Sequence, residues 1–257
     1  MQNYVISLTT STDRRQHITQ EFKKQDILFE FFDAITTSQL DEVSKQLNLH
    51  IFESERLSSI EKACFLSHIY LWQKMLDDNL EYITVFEDDI YLGINADKFL
   101  IDYQWISDNL GDTDIIKLET ALEKIHIDEE SISYESWYFS RLKSCHTGTA
   151  AYIISNKGAK TLLQHIQSLS EDDYIAIDHM IFDKLLSQTS VYQISPALSI
   201  QSTFLEADNP TLTSDIEVER SEHRKTRPKD PRDLKHYFKK IKRSIGKRVF
   251  YTTIPFE

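Results

Sequence analysis

Short apolar runs that alternate with stretches of helical period constrain this chain more than any other feature of its sequence. Tyr4 to Leu8 reads as a buried strand. Ser11 to Lys24 follows as a helix, with Ile18 and Phe22 four apart on one face. Leu28 to Phe32 is a second apolar run, so the chain opens β-α-β. Ser59 can cap a long helix through Leu80, in which Phe65, Ile69, Trp72 and Leu76 recur at spacings of four, three and four. Tyr82 to Phe86, Asp114 to Leu118 and Thr149 to Ile154 read as strands. Lys157 to Ile166 and Tyr174 to Leu186 read as helices, and Val191 to Ile194 as a late strand stopped by Pro196. This alternation predicts an α/β fold, with a mixed, mostly parallel sheet and helices on both faces. Ligands in such sheets bind beyond the carboxyl ends of the strands.

The chain has 257 residues, 40% of them hydrophobic, which suits one large domain or a domain with an appendage. The reading divides it into a catalytic body, 1–205, and a C-terminal extension, 206–257. No apolar run approaches the ~20 residues that span a bilayer. The first residues lack a basic region followed by an apolar one, so no signal peptide is expected. Cys64 and Cys145 are then expected as reduced, buried thiols.

The net charge of −12 is unevenly spread. Thirteen Lys/Arg against three acids leave Arg220 to Arg248 at +10, so the remainder carries −22. An acidic body argues against nucleic acid as a partner, and the basic stretch points to something anionic. Asp230-Pro231 is a helix-start signal. Leu234, Tyr237, Phe238, Ile241, Ile245 and Val249 then share a helical face, with lysines and arginines largely on the others. An amphipathic helix from about Asp230 to Tyr251, lying on an anionic membrane surface, is the expectation. Packing of the same stripe on the catalytic body or a second subunit is the alternative.

The strongest chemical signal is Val85-Phe86-Glu87-Asp88-Asp89. Three consecutive acids after a strand repel one another unless a cation joins them. Carboxylates suit Mg²⁺ or Mn²⁺, which take one or two protein carboxylates plus phosphate oxygens. A bound ion then neutralises charge on a leaving diphosphate. A solvated acidic turn is the plainer explanation of the same residues. A metal-dependent phosphohydrolase or nucleotidyltransferase would also use them, but no Walker-type glycine loop, nucleophile elbow or His-x-x-x-His pattern accompanies them.

An ordered set of segments resembles glycosyltransferase family 25, the lipooligosaccharide galactosyltransferases and their relatives. The segments are Tyr4 to Leu8 with Arg14-Arg15, Phe31 to Ile35, Ala63-Cys64-Phe65-Leu66-Ser67-His68 with Trp72, Glu87-Asp88-Asp89, Asp114 to Leu118, and Thr149 to Ser155 with Gly158-Ala159. Together they span about residues 1 to 200. Ala63 stands where the family usually has Gly, Glu61-Lys62 where it has Gly-Glu, and Ala176-Ile177 where a Pro is common. The resemblance implies a GT-A-like, Rossmann-type fold and an inverting transfer of a hexose from a UDP-sugar. UDP-galactose as donor, a β-1,4 linkage and a lipooligosaccharide acceptor are the expectation. A UDP-glucose-dependent enzyme and a non-catalytic glycan-binding scaffold are the alternatives. A bacterial cytoplasmic enzyme, peripheral on the inner face of the inner membrane, follows.

Asp89 is expected as the first metal ligand, with Asp88 on the metal through water or on the ribose, and Glu87 turned to the opposite side of the extended segment. Leu8, Arg14, Arg15, Asp33, Ser67, His68 and Asp88 are the donor-binding candidates, the arginines because guanidinium forks suit phosphate. A surface arginine, a turn aspartate and a core histidine are the structural alternatives. An inverting transferase needs a base for the acceptor hydroxyl. Asp178 is the first candidate, because the matching family segment carries an Asp there, and Glu119 the second. A helix salt bridge and a rim carboxylate are the plainer roles for these two. His179 and Gln201 are candidates for a third metal ligand.

Overall fold

The computed structural model describes residues 1–206, 212 and 250–257. Its strands are β1 (Gln2–Ser7), β2 (Glu30–Asp33), β3 (Tyr82–Glu87), β4 (Ile90–Leu92), β5 (Ile115–Lys117), β6 (Glu119–Thr120), β7 (Lys124–Tyr134), β8 (Trp137–Leu142), β9 (Ala151–Ser155), β10 (Val191–Ser195), β11 (Ser199–Gln201) and β12 (Tyr251–Thr253). Its α-helices are α1 (Thr12–Lys23), α2 (Leu40–Gln46), α3 (Ser59–Asp77), α4 (Asp97–Leu100), α5 (Gln104–Asn109), α6 (Asn156–Gln167), α7 (Ile177–His179) and α8 (Ser202–Leu205).

Nine strands form one mixed sheet in the order β12-β7-β8-β10-β5-β9-β3-β1-β2. The pairings make β1, β2, β3, β5, β7 and β10 run one way and β8, β9 and β12 the other. Side-chain alternation builds a core on each face. Tyr4 and Ile6 of β1, Ile83 and Val85 of β3, and Tyr152 and Ile154 of β9 pack on one face with residues of α2, α3 and α6. Val5, Phe86, Ala151 and Ile153 pack on the other with α1, α4 and α5. The expected α/β sheet with helices on both faces is therefore present.

A second sheet, β4-β11-β6, has three strands. Each follows or leads a residue of interest: Asp89 precedes β4, Gln201 ends β11 and Glu119 opens β6. The small sheet thus brings three distant parts of the chain to the carboxyl-end edge of the large one.

Helix α3 shows why these residues choose a helix. Ser58, one residue earlier than expected, is the cap, because Glu61 three residues on completes a capping box. Ser58 Oγ accepts from Glu61 N at 3.2 Å, and Glu61 Oε2 accepts from Ser58 N at 3.0 Å. Phe65, Ile69 and Trp72 are fully buried along its inner face.

The single helix expected over Tyr174 to Leu186 is broken. Tyr174 and Ala176 are extended, α7 has one turn, and a π-helical turn spans Met180–Lys184. Extended backbone lets the buried Tyr174 ring reach Phe65, with centroids 5.7 Å apart, and that packing outweighs the local helical period. Cys64 and Cys145 are reduced and half-buried. No described helix is long and apolar enough to cross a membrane.

The amphipathic helix expected from Asp230 lies outside the described residues, except that Tyr251 belongs to β12. This strand pairs antiparallel with β7. Beyond it Ile254 is buried, its carbonyl accepts from Thr120 Oγ1 at 2.9 Å, and Glu257 O accepts from Ile94 N at 2.8 Å. The final residues are therefore woven into both sheets.

Candidate functional site

Parallel pairing of β1 with β3 opens their carboxyl ends on one edge, and the three acids stand there. The strand ends at Glu87 and a turn carries Asp88 and Asp89, so the three side chains diverge. Asp88 turns toward β1, where Ser7 Oγ donates to Oδ2 at 2.6 Å and Arg14 Nη1 to Oδ1 at 2.5 Å. Asp89 turns toward the small sheet. Gln201 Nε2 lies 3.2 and 3.3 Å from its two carboxylate oxygens, and Ser202 N donates to its carbonyl at 2.8 Å. Glu87 faces α3, with Thr149 Oγ1 donating to Oε1 at 2.8 Å and His68 Nε2 3.6 Å from the same oxygen.

Above the acids opens a cavity of about 400 Å³. Its walls are the end of β1 with Leu8, the start of α1 with Arg14, the segment Ala34 to Thr37, and the face of α3 carrying Ile60, Cys64, Ser67 and His68. Ser67 shapes that wall. Its hydroxyl donates to Ala63 O at 2.8 Å and accepts from Ile35 N at 2.9 Å, which pins the 34–37 segment to α3.

Charge in this floor is out of balance. Burial, and then Glu87, push the Asp89 carboxyl up to about 7. Burial alone would raise Glu87 too, but the His68 ring and the Thr149 hydroxyl outweigh it and hold Glu87 below its ordinary value. Burial would lower Arg14, yet Asp88 and Asp89 more than offset that and raise it. Arg14 is the cation among the three acids, and its Nη2 stays 4.0 Å from Asp89. An all-oxygen cluster with a carboxyl held near neutrality fits a hard divalent ion, whose charge would relieve the repulsion.

The sequence model of glycosyltransferase family 25 (LPS biosynthesis protein) matches residues 1–181. The chain belongs to glycosyltransferase family 25. Among its relatives, the lipooligosaccharide biosynthesis protein lic2B of Haemophilus influenzae is 38% identical over 99% of this chain and 98% of its own. The lacto-N-neotetraose biosynthesis glycosyltransferase LgtE of Neisseria gonorrhoeae is 39% identical over 96% of this chain and 90% of its own. Among solved structures, a glycosyltransferase involved in glycosylation of the major capsid of PBCV-1 aligns over 88% of this chain and 98% of its own, with a TM-score of 0.44 and 8% identity.

In this family 25 chain, Leu8, Arg14, Ser67, His68, Glu87, Asp88, Asp89 and Gln201 all line the one cavity. Arg15 and Asp33 do not. Arg15 Nη2 bonds Asp33 Oδ1 at 2.5 Å and Ser7 O at 2.8 Å, its Nε bonds Leu8 O at 3.1 Å, and its guanidinium covers Phe31 at 4.7 Å. The pair staples β1 to β2 beside the opening. Asp178 and Glu119 stand on either side of Gly148, outside the cavity lining. Asp178 Oδ2 accepts from Gly148 N at 3.1 Å. Glu119 is fully buried, with Oε1 accepting from Ala150 N at 2.8 Å and Lys117 Nζ at 3.1 Å. Burial raises Glu119 to about 7 even against Lys117. His179 points elsewhere, its Nδ1 3.4 Å from Cys145 Sγ.

Three contributors carry little sequence signal. Ser7, Thr149 and Tyr152 each look like an ordinary strand or loop residue, and only the strand order brings them to the acids. Tyr152 Oη contacts His68 Nδ1 at 2.9 Å and accepts from Trp72 Nε1 at 2.9 Å, so the ring of His68 is held from behind.

Proposed function

We propose that this glycosyltransferase moves a hexose, galactose in the reading favoured here, from a UDP-sugar to a lipooligosaccharide acceptor in a β-1,4 linkage with inversion. The observation that carries the reading is the cavity floored by Glu87, Asp88 and Asp89, with Arg14 as its cation. Family membership and the names of its relatives support an oligosaccharide acceptor of the lipopolysaccharide type. Asp89, with Asp88 and Glu87, would hold Mn²⁺ or Mg²⁺, which when bound neutralises charge on the departing UDP. Arg14 would turn from Asp88 toward the diphosphate, since one guanidinium cannot serve both a metal-bound carboxylate and a phosphate equally well.

The His68 side of the cavity would hold the nucleotide's diphosphate or orient Glu87. Asp178 would take the acceptor proton, as a general base must. It is the more accessible of the two carboxylates, 7% exposed against 0% for Glu119, with its oxygens accepting from Gly148 N and His179 N, whereas Glu119 is also bound to the buried Lys117. The basic stretch between residues 220 and 248 would meet anionic lipid and so keep the enzyme beside a lipid-linked acceptor.

A screen of UDP-sugars against β-linked acceptors, with and without Mn²⁺, tests the reading. Metal-dependent galactose transfer with release of UDP is expected. Transfer that persists in chelator removes the metal role, and transfer from UDP-glucose alone replaces galactose.

A further inference from the structure

We propose that Cys64, His68 and Glu87 form a second metal site in the cavity wall, one that takes a borderline-soft divalent ion of the zinc class. It goes beyond the assignment of the acids to Mn²⁺ or Mg²⁺ and shares Glu87 with that cluster. Cys64 and His68 are four residues apart on α3, so one helix face presents both, one turn apart. Glu87, at the end of β3, meets them from across the cavity. Cys64 Sγ, a His68 ring nitrogen and a Glu87 carboxylate oxygen all lie within 4.8 Å of one another. Ligand atoms around a tetrahedral zinc sit roughly 3.5 Å apart, given bonds of roughly 2.0 to 2.3 Å. Small side-chain rotations therefore close the set, leaving a fourth position toward the cavity.

The decisive feature is His68. It is fully buried, and its Nε2 makes no hydrogen bond within 3.5 Å, standing 3.6 Å from Glu87 Oε1. Buried polar nitrogens are almost always satisfied, and this one has only a long contact, to the carboxylate of the proposed set. Its other nitrogen is anchored on Tyr152 Oη, which Trp72 fixes in turn. In the tautomer that donates Nδ1–H to that oxygen, Nε2 presents its lone pair toward Glu87, as a metal ligand must. Metal-bound histidines are commonly oriented by such a partner on the second nitrogen.

The donor chemistry separates this site from its neighbour. A sulfur, a nitrogen and one oxygen favour zinc or cobalt, whereas Asp88 and Asp89 offer only oxygen and favour magnesium or manganese. Binding displaces the Cys64 thiol proton to solvent and leaves a thiolate on the ion. Because Cys64 and His68 line the cavity, an ion there also occupies space that the proposed nucleotide would use.

Titration of the metal-free full-length protein with Co²⁺ tests the site without any assay of transfer. A thiolate-to-cobalt charge-transfer band should appear in the near ultraviolet and be displaced by Zn²⁺. Cys64→Ser should abolish the band. Cys145→Ser should keep it, which separates this site from the cluster of Cys145, His179 and Asp183. Tyr152→Phe should keep the band but weaken Zn²⁺ binding by about 10- to 100-fold, as loss of an orienting partner does. In the unmutated protein, Zn²⁺ should slow alkylation of Cys64 as mapped by mass spectrometry, a readout that no variant's folding can blur. Absence of the band, its survival in Cys64→Ser, or unchanged alkylation of Cys64 overturns the proposal, while the reading of the acid cluster would stand or fall on its own test.

Discussion

A carboxyl group that is buried beside another carboxylate keeps its proton longer than one in water, and Asp89 and Glu119 both meet that condition. Each is raised to about 7, from ordinary values of 3.8 and 4.5. The unfolded chain releases these protons first. Their contribution to stability is thus fully present below about pH 4 and is lost as pH rises through about 7. The thermal midpoint of metal-free protein should carry a downward component across that window, and Mn²⁺ should raise the midpoint more near pH 7.5 than near pH 5. Asp89→Asn should reduce both effects, as followed by differential scanning fluorimetry. An unchanged pH profile in that variant argues against the buried-carboxyl account. Asp89→Ala should also lose metal-dependent UDP binding by calorimetry while the circular dichroism spectrum stays intact. For the base, Asp178→Asn should lower kcat by about 10² or more with little change in UDP affinity. If Glu119→Gln shows that pattern and Asp178→Asn does not, the base is Glu119. Glu119→Ala carries a different signature, because it leaves Lys117 buried without its carboxylate, a change that costs about 3–5 kcal/mol and should appear as a lowered melting temperature.

Elements explain why those residues meet. Gly148 lies between Asp178 and Glu119 with φ +91°, and a Cβ there would sit 2.8 Å from Glu119 Oε2. Gly148→Ala should therefore lower both stability and turnover, since it strains the backbone and pushes the donor N–H of residue 148 off Asp178. Normal activity in that variant would mean that the Gly148 turn does not position the base. Elements with strong periodicity were legible in the sequence: β1, α1, α3, β3, β9, α6 and β10 all fall close to their expected places, because one buried face imposes one period. The acids were legible as well, since three like charges at a strand end ask for a partner. The β7–β8 hairpin was not, because Ile127 to Tyr134 is mostly exposed or half-exposed and its polar residues carry no clean alternation. The small sheet was equally hidden. Strands of two or three residues have no period to read, and their pairing depends on β11 arriving from some 110 residues beyond the acid cluster. That distance also explains Gln201, whose contact with Asp89 no local pattern announces.

For the whole molecule, the basic stretch and the final strand have to be separated by experiment. A truncation before Arg227 would delete β12 and Ile254 together with the lysines, so any loss of folding would say nothing about lipid. Replacing residues 220–248 with a flexible linker, while keeping the buried Leu212 and residues 250–257, removes the basic stretch and leaves those contacts in place. That variant should fold, should transfer sugar to a short water-soluble acceptor, and should fail to float with anionic vesicles that carry the full-length protein at low salt. Flotation that survives the replacement would place lipid contact on the catalytic body. The return of the chain at Tyr251 has one more consequence. The chain is fixed to the body at Glu206, whose carboxylate accepts from Tyr91 Oη at 2.9 Å, and at the buried Leu212, whose N–H donates to Ser202 Oγ at 3.3 Å, and it is fixed again through β12 on β7. The intervening sequence is therefore tied to the body at both of its ends. A surface that grips it holds the body by two cords instead of one, which narrows the angles through which the cavity can swing against that surface.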